Sequence, residues 1–248
     1  MRIDVLLGEA PVVPADVADR IVVVIDVLRA ATTVATALHH GARAVIPFET
    51  IEETVLRAKA YARGEVKLAG ERRMVRIDGF DLGNSPLEYT TDVVHGRTIL
   101  YSTTNGTAAL TATHGARVCF FASFVNAAAT VRAVRSALTV EADVTIICSG
   151  HERRLALEDV VCAGRLVRGI TEGRDGVLRG DGARVAEMVE RPFVGGIASV
   201  AHEALHAASL IAAGFADDVQ ACLSLDRFDT AVRYQDRQLH LDGAMAHR

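Results

Sequence analysis

Ile21-Val22-Val23-Val24-Ile25 is an unbroken β-branched run, followed by Asp26-Val27-Leu28-Arg29 and then by the alanine- and threonine-rich stretch 30–38. A short run with no polar side fits a strand covered on both faces, which is the environment of a parallel sheet. Stretch 30–38 reads as a helix, Gly41 stops it, and residues 44–46 resume strand character before Pro47. This is one β-α-β unit. Further strand candidates at 66–69, 98–101, 118–121 and 144–148 alternate with helical stretches such as 127–138 and 157–170. Thr50-Ile-Glu-Glu53 has the spacing of a capping box, so a helix is expected there with Ile51, Val55, Ala58 and Ala62 on one face. The fold class is α/β: a mixed or mostly parallel sheet with helices on both faces.

Sliding the sequence by 74 positions superimposes His40-Gly-Ala-Arg43 on His114-Gly-Ala-Arg117, Thr33 on Thr107, Ala35 on Ala109 and Ile25 on Ile99. Either two ordinary β-α-β units look alike, or the chain carries an internal duplication. A true repeat makes the polar turns after Ile25 and Tyr101 equivalent, both opening at C-terminal strand ends, where α/β sheets bind ligands. From Arg174 onward helices predominate and strand runs become scarce. No linker separates this helix-rich third, so residues 1–248 are read as a single catalytic unit. Two lobes, about 1–138 and 139–248, are the expected subdivision, with the site between them.

The composition narrows the function. Half of the 248 residues are hydrophobic and 23% are charged, which excludes a disordered or fibrous chain. Lys plus Arg total 27 against 31 Asp plus Glu, so no basic field is available for a nucleic-acid backbone. The apolar runs are too short to span a bilayer, and the N-terminus lacks a basic, apolar leader; a cytoplasmic location is expected. Cys119, Cys148, Cys162 and Cys222 show no C-x-x-C spacing and read as core thiols.

Four segments carry chemistry. Asp26 stands just past a buried strand, where a carboxylate is suited to holding a divalent cation or attacking phosphorus, and Arg29, Thr32 and Thr33 follow at a helix start that favours anions. Helix capping alone is the competing reading for Asp26 and Thr32. Tyr101-Ser-Thr-Thr-Asn-Gly106 is a small-residue turn able to approach an oxyanion, without the lysine of a Walker loop; a plain polar turn is equally consistent. The long connection from Gly70 to Glu88 combines acids, arginines and an Asn84-Ser85-Pro86 turn, and reads as an active-site loop ordered by Ile77, Phe80 and Leu82. Cys148-Ser-Gly-His-Glu152 ends another strand and leads to Glu158 and Asp159, adjacent acids of which at most one is expected to face the site.

These residues, taken in order, resemble the 2-phosphosulfolactate phosphatase family. The likeness rests on IDVLRAATT from Ile25, AGER from Ala69 followed by GFDLGNSP, STTNGT from Ser102, ASFVNA from Ala122 and LEDVVCAG ending at Gly164. It implies a Mg²⁺-dependent phosphomonoesterase that converts 2-phospho-3-sulfolactate to sulfolactate, a step toward coenzyme M in organisms that make it. A small anionic phospho-acid is the implied partner, and a homodimer is the family-weighted expectation. Arg73 and Met74 depart from the glycine-rich sequence expected after Gly70-Glu71-Arg72, and the likeness loosens beyond Gly164, so a different 2-phospho acid remains open. With that likeness, Mg²⁺ is expected among Asp26, Glu71, Glu152 and Asp159. Asp26 and Arg29 are the catalytic candidates. Thr32, Asn84, Ser85, Thr103, Thr104, Asn105, Gly106 and Arg72 are the candidates for substrate binding. Direct attack by water and a covalent role for Asp26 are both open.

Two rivals compete. His202-Glu203-x-x-His206 matches a zinc-protease string, but no Glu follows it to complete the ligand set; otherwise it is the surface of an Ala/Leu helix. A non-catalytic phosphometabolite binder would keep the anion turns, yet gains nothing from several carboxylates in one place without a cation.

Overall fold

The computed structural model describes residues 1–8, 10–103, 106–139, 142–152 and 154–243. Among the described residues eleven strands follow in chain order: β1 Arg2–Leu6, β2 Ile21–Ile25, β3 Ala44–Pro47, β4 Val66–Arg72, β5 Val75–Arg76, β6 Thr98–Ser102, β7 Val118–Ala122, β8 Val144–Cys148, β9 Leu178–Arg179, β10 Val232–Gln235 and β11 Gln238–Leu241. They form one sheet in the order β5-β4-β6-β3-β11-β10-β7-β2-β8-β1-β9.

Strand β2 shows why this is a two-faced sheet. All five of its residues are buried. Ile21, Val23 and Ile25 join a core with Val160, Val161 and Leu166 of the helix Leu157–Thr171, whereas Val22 and Val24 join a second core with Val34, Ala35 and Leu38 of the helix Ala30–His39. Alternate side chains therefore serve opposite helical layers, which is what an all-apolar strand requires.

The two similar β-α-β units have a simple spatial relation. Strand β2 leads through a helix to β3, and β6 leads through the helix Gly106–Thr111 to β7. β3 pairs in parallel with β6, and β7 pairs in parallel with β2. Between these pairs lies the antiparallel hairpin β10–β11, with β10 on β7 and β11 on β3. Three successive antiparallel pairings make the two parallel halves run in opposite directions.

The expected scarcity of strands beyond Arg174 holds for most of that segment but not for its end. The β10–β11 hairpin occupies the middle of the sheet. Its turn is Asp236-Arg237, both at left-handed φ, so it lacks the glycine that usually announces such a turn. The helix after Thr50 also differs from expectation. Thr50 Oγ accepts from the Glu53 amide at 3.1 Å, as a cap should, but the helix ends at Ala58, Thr54 is the residue it buries, and Val55 is exposed.

Candidate active site

A cavity of about 480 Å³ is lined by residues from six chain segments: Asp26 with Leu28 to Ala30, Glu71 to Met74, Asn84, Thr103, His151 with Glu152, and His206 with Leu210. Four of these segments follow or end sheet strands, Asn84 stands in the loop before Pro86, and the last lies on the helix Leu205–Ala212. Two glycines permit the close approach. A Cβ on Gly70 would lie 2.0 Å from the Ser102 carbonyl oxygen, so only glycine lets β4 run this tightly against β6. At Gly106 a Cβ would lie 2.8 Å from Asp26 Oδ2, so glycine there lets the helix Gly106–Thr111 start close against Asp26.

Asp26 is both cap and site residue. Its Oδ1 accepts from the Ala30 amide at 3.0 Å, and its carboxylate still lines the cavity. Burial pushes its pKa from 3.8 up to about 6; the Ala30 amide and His206 oppose that rise, and Glu71 and Glu158 add to it. Glu71 Oε2 accepts from the Met74 amide at 2.9 Å, which closes the β4–β5 turn over the cavity.

The arginines of the site are mostly engaged. Arg29 Nη1 donates to Asp218 Oδ2 at 2.7 Å, Nη2 donates to the Met74 carbonyl at 2.7 Å, and the guanidinium lies 4.3 Å from the centre of the Phe215 ring. Arg72 donates to the carbonyls of Glu71, Ser102 and Glu49 and to Ser102 Oγ, fastening β4 to β6. Asn84 lines the cavity with Oδ1 accepting from the Tyr101 hydroxyl.

Other candidates lie behind the site. Ser85 Oγ donates to Asp218 Oδ1 at 2.6 Å, so it supports Arg29 through Asp218. Thr32 donates to the Val27 carbonyl and borders a separate cavity of about 200 Å³ with Thr36 and His40. Asp159 accepts from the amides of Val27 and Gly150 at 2.9 and 3.0 Å, pinning two site loops instead of lining the cavity. Burial, with Glu158 and Asp26 nearby, holds its pKa well above the usual carboxylate range. Thr103 lines the cavity; Thr104 and Asn105 lie outside the described residues.

The side chains that sequence reasoning missed in this role are Glu158 and His206. Glu158 Oε1 meets His206 Nδ1 at 2.9 Å, and Glu158 is only 1% exposed, with Oε2 buried and, among the described residues, without a hydrogen-bond partner. The His206 ring stacks on His151 with centroids 3.8 Å apart. Burial and His206 lower the pKa of His151. A carboxylate on Nδ1 fixes the ring and leaves Nε2 for proton exchange in the cavity. The signal was present in the string around His206 but was attached to zinc. That reading fails on geometry: the helix breaks at Ala204, His202 and Glu203 are exposed on the preceding short helix, and only His206 reaches the cavity. Among the described residues no group of three His, Cys, Asp or Glu side chains is assembled as a ready metal cage.

A family model described as 2-phosphosulpholactate phosphatase matches residues 10–237. The chain belongs to this family. It is 34% identical over 239 residues to a probable 2-phosphosulfolactate phosphatase of Clostridium beijerinckii, covering 96% of this chain and 99% of that protein. A probable 2-phosphosulfolactate phosphatase of Symbiobacterium thermophilum is 40% identical over 210 residues, covering 85% and 89% of the two chains. One from Thermotoga petrophila is 38% identical over 228 residues, covering 92% and 93%. The family match runs well past Gly164, where the motif likeness had thinned, and takes in His206 and Asp218. No helix among the described residues is long and apolar enough to cross a membrane.

Proposed function

We propose that the chain hydrolyses the phosphate monoester of a 2-hydroxy acid, with 2-phospho-3-sulfolactate as the leading substrate and sulfolactate and phosphate as products, in a Mg²⁺-dependent reaction. The observation that carries this reading is the convergence of Asp26, Glu71, Glu152, Thr103 and His206 on one cavity.

The donor set fits magnesium. Mg²⁺ prefers hard oxygens, keeps several waters and is commonly bound by one or two carboxylates plus substrate phosphate, so a cage of three protein ligands is not required. Asp26 and Glu71 would hold it, with Glu152 at the rim. The elevated pKa of Asp26 shows the cost of gathering carboxylates in a buried place, and a cation there would relieve it. Charge neutralisation at the phosphoryl oxygens is what Mg²⁺ supplies when bound.

The protein's own groups do the rest. Thr103, on the cavity wall with Asn84, would donate to a phosphoryl oxygen. Water attacks phosphorus in line as the ester P–O bond breaks, His206, held through Nδ1 by Glu158, delivers a proton from Nε2 to the departing alkoxide, and a proton brought in by the attacking water leaves the new phosphate to restore Nε2. Arg29 keeps the Met74 side of the cavity in place. The test is phosphate release from 2-phospho-3-sulfolactate and other 2-phospho acids, with and without Mg²⁺. Activity restored by Mg²⁺ after EDTA supports the reading; silence across the panel favours a phosphometabolite binder. Oxygen-18 appearing in the Asp26 carboxylate after a single turnover in labelled water would replace direct attack with an aspartyl-phosphate route.

A further inference from the structure

Strands β4 and β5 pair with Arg72 opposite Val75, so Arg73 and Met74 form the two-residue turn between them. Both have left-handed φ, 52° and 69°. Turns of this kind favour Asn-Gly or Gly-Gly, because a side chain at positive φ is strained in a way that glycine avoids. The strain is over-determined by the site itself: Glu71 takes the Met74 amide, and Arg29 donates to the Met74 carbonyl. The chain thus holds an arginine where glycine would fit more easily, on the cavity wall.

Arg73 also differs from the other arginines of that wall. Arg29 is bound to Asp218 and Arg72 to four backbone and hydroxyl oxygens. Arg73 is exposed and, among the described residues, makes no hydrogen bond, ion pair or ring contact. A planar guanidinium with all its donors available suits two-point recognition of a carboxylate or sulfonate.

Building on the phosphatase reading above, we propose that Arg73 is a specificity residue that binds one of the two non-reacting anionic groups of the substrate, the carboxylate or the sulfonate, while the phosphate sits deeper beside Asp26. The chemical class selected is then a phosphate monoester bearing a second anion a few bonds from the ester oxygen.

The experiment compares wild type, Arg73→Gly and Arg73→Gln on two esters: 2-phospho-3-sulfolactate and glycerol 2-phosphate, which has no second anion. The ratio of kcat/KM between the two esters should fall about 10- to 100-fold in both variants, chiefly through KM for the sulfolactate ester, as loss of a charged hydrogen-bond pair predicts. Arg73→Gly should keep or raise the urea midpoint, since glycine relieves the turn, so a folding defect cannot mimic the result. An unchanged ratio, or equal loss on both esters, overturns the assignment. Wild-type protein inactive on both overturns the phosphatase reading and this assignment with it, an outcome distinct from a selective failure at Arg73.

Discussion

Replacing Asp218 by alanine tests the support behind the cavity. Arg29 and Asp218 are 2% and 4% exposed at their side chains, and their 2.7 Å contact is backed by Ser85 on the other carboxylate oxygen. Forming such a pair gains little net stability, because both charges give up water, but removing one member leaves the other charge buried and unmatched. That costs about 3–5 kcal/mol, and the Ser85 hydroxyl loses its acceptor, adding about 1 kcal/mol. For a chain of this size each kcal/mol moves the melting temperature by about 2–4 °C, so Asp218→Ala should melt roughly 8–24 °C lower. Differential scanning fluorimetry and urea unfolding followed by circular dichroism read both quantities. The paired change Arg29→Met with Asp218→Leu should recover much of the loss, since no bare charge remains. A drop below about 1 kcal/mol for the single variant would refute the reasoning, because it would mean that water reaches Arg29 and screens it.

Two further outcomes follow from the site. Asp26, with its pKa moved from 3.8 to about 6, stays protonated in the folded metal-free chain over a range in which the unfolded chain has already lost the proton. The folded state therefore binds more protons, and stability should decline as pH rises from about 4 to about 6, by on the order of 3 kcal/mol. Asp26→Asn should flatten that slope and abolish turnover; urea midpoints in EDTA across this range check the first, and an identical slope in the variant counts against it. Glu158→Gln and His206→Gln should each lower kcat on an alkyl phosphate by about 100-fold or more, and much less on p-nitrophenyl phosphate, whose leaving group needs no proton. Equal losses on both esters would assign the pair to structure alone.

The sheet was legible wherever strands are apolar and buried on both sides. β2, β3, β6, β7 and β8 all lie where β-branched or aromatic runs put them. β10 and β11 were not legible, because Val232-Arg-Tyr-Gln and Gln-Leu-His-Leu241 alternate polar and apolar residues around a turn without glycine. Their place between β3 and β7 follows from long-range pairing, which local pattern does not encode. At the site, acids at strand ends announced themselves: Asp26, Glu71 and Glu152 line one cavity. Side-chain direction did not. Asp159 and Thr32 turn to backbone partners, and Glu158, its neighbour, faces His206 across 48 residues of sequence.

The position of the terminal hairpin has a consequence for biosynthesis. The strands from β1 to β9 can assemble as two separate ribbons while the chain is still emerging, since N-terminal elements are free to fold first. Until residues 232–241 arrive, β3 and β7 are bare edges, each a template for a foreign strand. This late hairpin is thus the keystone of the sheet, and a nascent or truncated chain lacking it would be a substrate for chaperones and for aggregation.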